Sequence, residues 1–82
     1  MKHGLRIVTW NVGLRGLVRT AVFFGGMEGM FTAVGMPDVL CFQEVKVPMS
    51  EIDEPVAFVP GYRAFFHFSG KPMYAGVVTY VR

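Results

Sequence analysis

The sequence is short of cysteine and of charge, and each shortage excludes something. Cys41 is the single cysteine, so no disulfide can close within the chain. It lies inside an apolar run and reads as a small buried hydrophobe, and the missing disulfide framework favours a reducing compartment over secretion. Charged residues make up 17% of the 82 residues against 52% hydrophobic. That balance suits part of a larger core better than a small unit that must solvate its own large surface. Met1-Lys2-His3-Gly4 carries no apolar core and no small-residue cleavage site, which predicts no signal peptide. The one apolar stretch near spanning length lies between Arg19 and Pro37. Glu28 at its centre, with Gly25, Gly26, Gly29 and Gly35, argues against a membrane segment. Phosphate-binding glycine loops, zinc-ligand spacings, serine nucleophile motifs, repeats and low-complexity tracts are all missing. A net charge of +2 permits a nucleic-acid partner without arguing for one.

What is present is a sequence of short elements. Leu5 to Trp10 is rich in β-branched residues and predicts a buried strand, broken by Asn11-Val12-Gly13. Leu14 to Phe24 has features of both helix and strand, and Gly25-Gly26 ends whichever forms. Met27, Met30, Phe31 and Val34 fall at i, i+3, i+4 and i+7 and predict a helix that turns this stripe to the core. Gly35 is placed to cap that helix, and Pro37 prevents its continuation. Val39 to Phe42 is a second strand, so strand, helix and strand follow in order. That order predicts a right-handed crossover and a parallel pair. Ser50 to Glu54 reads as a short helix start, with Ser50 as N-cap and acids in the first turn; Pro55 limits it to a turn or two. Beyond the Pro60-Gly61 turn, Tyr62 to Ser69 alternates. Tyr62, Ala64, Phe66 and Phe68 share one face, and Arg63, Phe65, His67 and Ser69 the other. Gly70-Lys71-Pro72 begins a loop, and Gly76 to Val81 forms a strand that closes a hairpin. A last strand reaching Arg82 with neither cap nor tail predicts an interrupted domain.

Two of these strands end in polar side chains. The run Asp38-Val39-Leu40-Cys41-Phe42 stops at Gln43-Glu44, and the first strand stops at Asn11. Strand ends bearing acids are where many α/β enzymes hold metals. Glu44 suits Mg²⁺, a hard ion that takes one or two protein carboxylates plus phosphate and water oxygens; it equally suits a solvated strand-end acid. Asn11 serves either to bond a phosphate or orient a water, or to make a turn. Gln43 supports Glu44 or faces the opposite side, and Lys46 neutralises a phosphate or is merely solvated. Tyr62, Phe65, Phe66 and Phe68 stack on bases or pack in the core. His67 stands alone and receives no role. The strand-helix-strand order puts successive strand ends together, which predicts Asn11 and Glu44 at one sheet edge, on adjacent parallel strands.

The segments in order resemble the start of an endonuclease/exonuclease/phosphatase domain, of the exonuclease III and AP-endonuclease branch. That branch opens with a strand ending Trp-Asn-Val and a Gly-Leu-Arg turn; here the residues are Trp10-Asn11-Val12-Gly13-Leu14-Arg15. Its Pro-Asp-Ile-Leu-Cys-Leu-Gln-Glu strand and following lysine are matched by Pro37 to Lys46, its Gly-Tyr and aromatics by Gly61 to Ser69, and its Tyr-Ser-Gly-Val by Tyr74-Ala75-Gly76-Val77. The resemblance spans Leu5 to Tyr80. It implies an α/β fold, the N-terminal fragment of a two-sheet, DNase I-like sandwich, built as strand-helix-strand followed by a β-hairpin. It implies Mg²⁺-dependent attack of water on a phosphodiester, with Glu44 as metal ligand and Asn11 as a catalytic residue that positions phosphate or nucleophile. DNA is the implied partner, with no membrane association, and the implied location is intracellular, the nucleus in a eukaryote. Two departures matter. The family has an Asp or Asn between the Val and Gly of its first motif, where this chain runs Val12-Gly13 directly. The later motifs, with a catalytic tyrosine, an Asp-x-Asn pair and an Asp-His pair, have no counterpart. Residues 1–82 are therefore expected to be an incomplete domain of a DNA-repair phosphodiesterase, inactive by itself. Another branch of the superfamily, such as a phosphoinositide phosphatase or a DNase I-like nuclease, and a non-catalytic binding remnant are the alternatives.

Overall fold

A computed structural model describes residues 4–13, 16–46, 54–67 and 76–82. The element order is β1 (Ile7–Asn11), α1 (Gly16–Phe23), α2 (Met27–Ala33), β2 (Val39–Gln43), α3 (Glu54–Ala57), β3 (Arg63–His67) and β4 (Val77–Val81). The four strands form one sheet in the order β1-β2-β4-β3. β1 and β2 run parallel, joined by the helical crossover, and β4 is antiparallel to both β2 and β3. The hairpin pairing of β3 with β4 is as expected. The later strand of that pair, rather than the earlier, joins β2, and it occupies the centre of the sheet.

Alternation sorts the strands into two faces. Leu40, Phe42, Val78 and Tyr80 point inward and are fully buried, with Val8, Trp10, Ala64 and Phe66 packed beside them. Against this face lie Leu17 and Ala21 of α1, and Met27, Met30 and Phe31 of α2. The Met/Phe stripe therefore packs in the core as its spacing predicts, with Val34 beside it. Phe31 is its centre: its ring lies 4.6 Å from Tyr62, 5.1 Å from Tyr80 and 6.2 Å from Phe42, tilted or edge-on in each case, the arrangements that ring quadrupoles favour.

The ambiguous segment before Gly25 is helical, so the crossover holds two helices. Both end the same way. After α1, Gly26 N–H donates to Ala21 O at 2.7 Å and Gly25 N–H to Val22 O at 3.0 Å; after α2, Met36 N–H donates to Phe31 O at 2.9 Å and Gly35 N–H to Thr32 O at 3.0 Å. This paired pattern requires a left-handed residue, and Gly25 and Gly35, both at φ +82, supply it. The segment after α2 is then fastened to the sheet. The Arg6 guanidinium donates to Gly35 O and Val34 O, Arg82 to Met36 O (each at 2.8 Å), and Tyr62 Oη to Pro37 O at 2.6 Å.

Three expectations are corrected. The first strand is not buried: Leu5, just before β1, is 69% and Ile7 59% exposed, because among the described residues β1 has a neighbour on one side only and helices cover one face of the sheet. Cys41 is half-buried rather than enclosed, since it points to the uncovered face, where Thr79 Oγ1 reaches its sulfur at 3.5 Å. Phe65, on that same face, is 52% exposed, so the aromatic strand packs only through its alternate residues. The short third helix, Glu54–Ala57, is a single turn, within the one or two turns expected, and it contains Pro55, which is tolerated in a first turn. The Ser50 cap, Leu14-Arg15, Phe68, Ser69, the loop at 70–72 and Tyr74-Ala75 lie outside the described residues. Among the described residues no helix is long and apolar enough to cross a membrane.

Tyr80 joins the core to the α3 segment. Its ring is fully buried and its hydroxyl donates to Val56 O at 2.7 Å. Burial pushes its phenol well above the ordinary range, so folding holds it neutral. The folded pKa is the raised one, so this stabilisation is complete below the unfolded value near 10 and declines as pH rises above it. Tyr80→Phe should lose about 1–3 kcal/mol by stranding the Val56 carbonyl. It should also remove part of the alkaline destabilisation. Urea melts between pH 8 and pH 11 check both, and a variant as stable as the parent at pH 8 would refute the hydrogen-bond assignment.

Candidate functional site

The parallel register pairs Asn11 with Gln43, so the ends of β1 and β2 coincide at one sheet edge. Val12 N–H extends the ladder by one bond, donating to Gln43 O at 3.1 Å. Asn11 Nδ2 donates to Glu44 Oε2 at 2.6 Å, and Asn11 Oδ1 accepts the Gly13 N–H at 2.8 Å. Both ends of the amide are thus engaged: the turn fixes its oxygen, which aims its nitrogen at the carboxylate. The turn reading of Asn11 and the site reading describe one conformation, and the juxtaposition expected from strand order is present. Lys46 Nζ lies 3.8 Å from Glu44 Oε1, with the side chains of Lys46 and Glu44 29% and 39% exposed, so solvent and ions reach both.

The backbone makes this possible through an unusual kink. Glu44 and Lys46 have φ +56 and +55, on either side of Val45. Left-handed backbone in ordinary residues costs roughly 1–2 kcal/mol each and persists only where the surroundings over-determine it. Here they do. Val45 is fully buried; its N–H donates to Gly76 O at 3.1 Å and its carbonyl accepts the Leu17 N–H at 3.0 Å. Gly16 sits against the same carbonyl at φ +76, where a Cβ would lie 2.9 Å from Val45 O and 3.3 Å from Lys46 Cβ.

The other candidates are distributed around this edge. Gln43 turns away from Glu44: its Nε2 donates to Cys41 O at 3.2 Å on the uncovered face. His67 pairs with Val77, which also pairs with Gln43, so it stands at the same end of the sheet as Asn11 but two strands beyond Gln43. Among the described residues no three His, Cys, Asp or Glu side chains gather as a metal cluster. Among the described residues, Glu44 is the acid at this edge. Sequence reasoning missed Gly16 and Val45, whose roles are carried by backbone atoms; a Gly-Leu-Arg-Gly run before a helix is the only trace that Gly16 leaves.

No family profile matches the chain. Direct comparison nevertheless shows homology to AP endonucleases of the exonuclease III branch, over a small N-terminal part of those proteins. The particular relatives are DNA-(apurinic or apyrimidinic site) endonuclease 2 of Xenopus laevis, 35% identical over 79 residues, and that of Homo sapiens, 34% identical over 86. Each alignment takes in 95% of this chain but only 14% and 17% of the respective relative. The crystal structure of the Xenopus laevis APE2 catalytic domain superposes with a TM-score of 0.75 at 34% identity, covering 95% of this chain and 23% of that one.

The Asn11–Glu44 bond can be tested by reversing its donor. Asn11→Asp sets two carboxylates face to face, and like charges at that separation cannot both ionise freely. The variant should lose on the order of 1 kcal/mol of stability, and adding Glu44→Gln to it should restore most of that loss. Melting temperatures that add across the two substitutions would show that the two side chains are not in contact.

Proposed function

We propose that this chain supplies the N-terminal part of the active edge of a Mg²⁺-dependent phosphodiesterase acting on DNA, within an incomplete endonuclease/exonuclease/phosphatase domain. The observation that carries the proposal is the 2.6 Å bond from Asn11 to Glu44 at the end of paired parallel strands, in a sheet that matches an AP endonuclease catalytic domain. Such a protein works where DNA is, inside the cell and in the nucleus of a eukaryote.

The residues fit the metal. Mg²⁺ needs only one or two protein carboxylates, since phosphate and water oxygens fill the rest of its shell. Glu44 has lone pairs to spare, with one short bond to Oε2 and an amine at 3.8 Å from Oε1. Glu44 would hold the ion, while Asn11 keeps the carboxylate oriented and would offer its amide to a phosphate oxygen or a water. Lys46 supplies a positive charge that draws a phosphate to the same edge. A bound Mg²⁺ contributes Lewis-acid stabilisation of charge on phosphoryl oxygens. One carboxylate and one amide do not supply water activation and leaving-group stabilisation as well, so the 82 residues alone are expected to be inactive.

The test is a chimera in which residues 5–80 replace the matching part of the Xenopus laevis APE2 catalytic domain. It should cleave an abasic-site duplex only with Mg²⁺. Glu44→Gln keeps the shape but removes the charge and should cost about 10²-fold or more in rate, partly recovered at high Mg²⁺. Lys46→Ala should weaken binding by an amount that fades as salt rises. A chimera whose rate ignores Glu44→Gln at limiting Mg²⁺ would overturn the assignment. The other reading, a remnant that binds without catalysis, is favoured by the exposure of Ile7, Phe65, Val77 and Val81 on the uncovered face. It requires the chimera to be inert.

A further inference from the structure

We infer that Gly16 is a positioning residue: its missing side chain lets α1 approach closely enough for the Leu17 N–H to hold the Val45 carbonyl, and that anchored turn directs the Glu44 carboxylate onto Asn11. The inference rests on the proposed role of this edge but is read without a metal. Three observations converge on Val45. Its neighbours Glu44 and Lys46 are both left-handed, so the chain between them folds back sharply. Its own N–H and carbonyl are bonded on opposite sides, to Gly76 O and to Leu17 N–H. Gly16, itself at φ +76, approaches so closely that a methyl group there would meet Val45 O at 2.9 Å and Lys46 Cβ at 3.3 Å. A carbonyl oxygen has no flexible end to swing aside, so the 44–46 turn must move if Gly16 gains a side chain. Glu44 and Lys46 project from that turn, and both would leave their places together.

The position differs from the other left-handed glycines. A Cβ at Gly25, φ +82, would meet nothing within 4 Å. Gly25→Ala therefore imposes a comparable backbone strain without the contact, and serves as the matched control.

The experiment is NMR on the 82-residue chain. In the parent, the Asn11 side-chain amide protons should show a nuclear Overhauser contact to the Glu44 methylene protons. The Leu17 and Val45 amides should be protected from hydrogen exchange. In Gly16→Ala the Asn11–Glu44 contact should vanish, while the Arg6 amide, bonded to Asp38 Oδ2 at 2.8 Å at the far end of the sheet, keeps its chemical shift. Mn²⁺, added as a paramagnetic probe, should broaden Asn11 in the parent and bind Gly16→Ala about 10-fold or more weakly, the usual effect of disturbing a group that orients a ligand. Gly25→Ala should keep both signatures. Persistence of the Asn11–Glu44 contact in folded Gly16→Ala, its loss in Gly25→Ala, or its absence from the parent overturns the inference. Should Gly16→Ala not fold, the parent decides alone: an unprotected Leu17 amide beside an intact Asn11–Glu44 contact refutes the role of Gly16, and a protected one supports it. A parent that shows the contact but no Mn²⁺ broadening keeps the positioning role and refutes the metal assignment instead.

Discussion

The parallel pairing of β1 with β2 is the constraint on which everything else in this chain depends. A parallel pair cannot be closed by a tight turn; it needs a crossover, and here the crossover is α1 and α2. Those helices bury the inward side chains of the sheet, so the connection that the pairing demands is also what covers the core. The register Asn11↔Gln43 then decides the chemistry. A slip by one residue would turn Val8 and Trp10 to solvent and aim Asn11 into the helices. Core packing and the polar edge are consequences of a single alignment.

The two ends of the sheet are held in different ways. At the end where β2 begins, charged and aromatic side chains do the fastening. Arg6 and Arg82 donate to the carbonyls of Val34, Gly35 and Met36 just after α2, Asp38 Oδ2 accepts the Arg6 N–H at 2.8 Å, and Arg82 lies 5.9 Å from the centre of the Tyr62 ring. A helix C-terminus favours such cations. At the opposite end, backbone atoms do the fastening, through Leu17, Val45 and Gly76. The side chains of Asn11, Glu44 and Lys46 bond to one another and, through Asn11 Oδ1, to the Gly13 N–H, and the partly exposed Glu44 and Lys46 are open to solvent.

Local pattern revealed what local physics controls. The Met27–Val34 stripe, the Gly35 cap and the alternation of Tyr62 to His67 each follow from side-chain periodicity or from the one residue type that tolerates a left-handed turn. The meeting of Asn11 and Glu44 followed from strand order plus a resemblance carried by Trp10-Asn11-Val12 and Gln43-Glu44. What stayed hidden was non-local. Strand order β1-β2-β4-β3 depends on which strand β2 accepts as its neighbour, and β-branched content does not encode that choice. The exposure of Ile7 follows from β1 being an edge strand, which its apolar run concealed. The left-handed Glu44 and Lys46 run against residue preference and are sustained by atoms distant in sequence, where one-dimensional reading has nothing to measure.

The shortened first motif is the remaining departure from the family pattern, and the turn shows how the edge absorbs it. With Val12 followed directly by Gly13, the Gly13 N–H reaches back to Asn11 Oδ1 at 2.8 Å, and Val12, 7% exposed, drops into the core. Against that pattern the edge has one polar side chain fewer, and the Asn11 amide is held between the Gly13 N–H and Glu44. Among the described residues Glu44 and Lys46, 3.8 Å apart, bring the charge to this edge, and under the proposed function a cation held by the carboxylate would stand beside an amine able to meet a phosphate. The bond that receives the Gly13 N–H also aims the Asn11 nitrogen at that carboxylate, so the arrangement is set by backbone bonds at the two strand ends and not by the length of the motif.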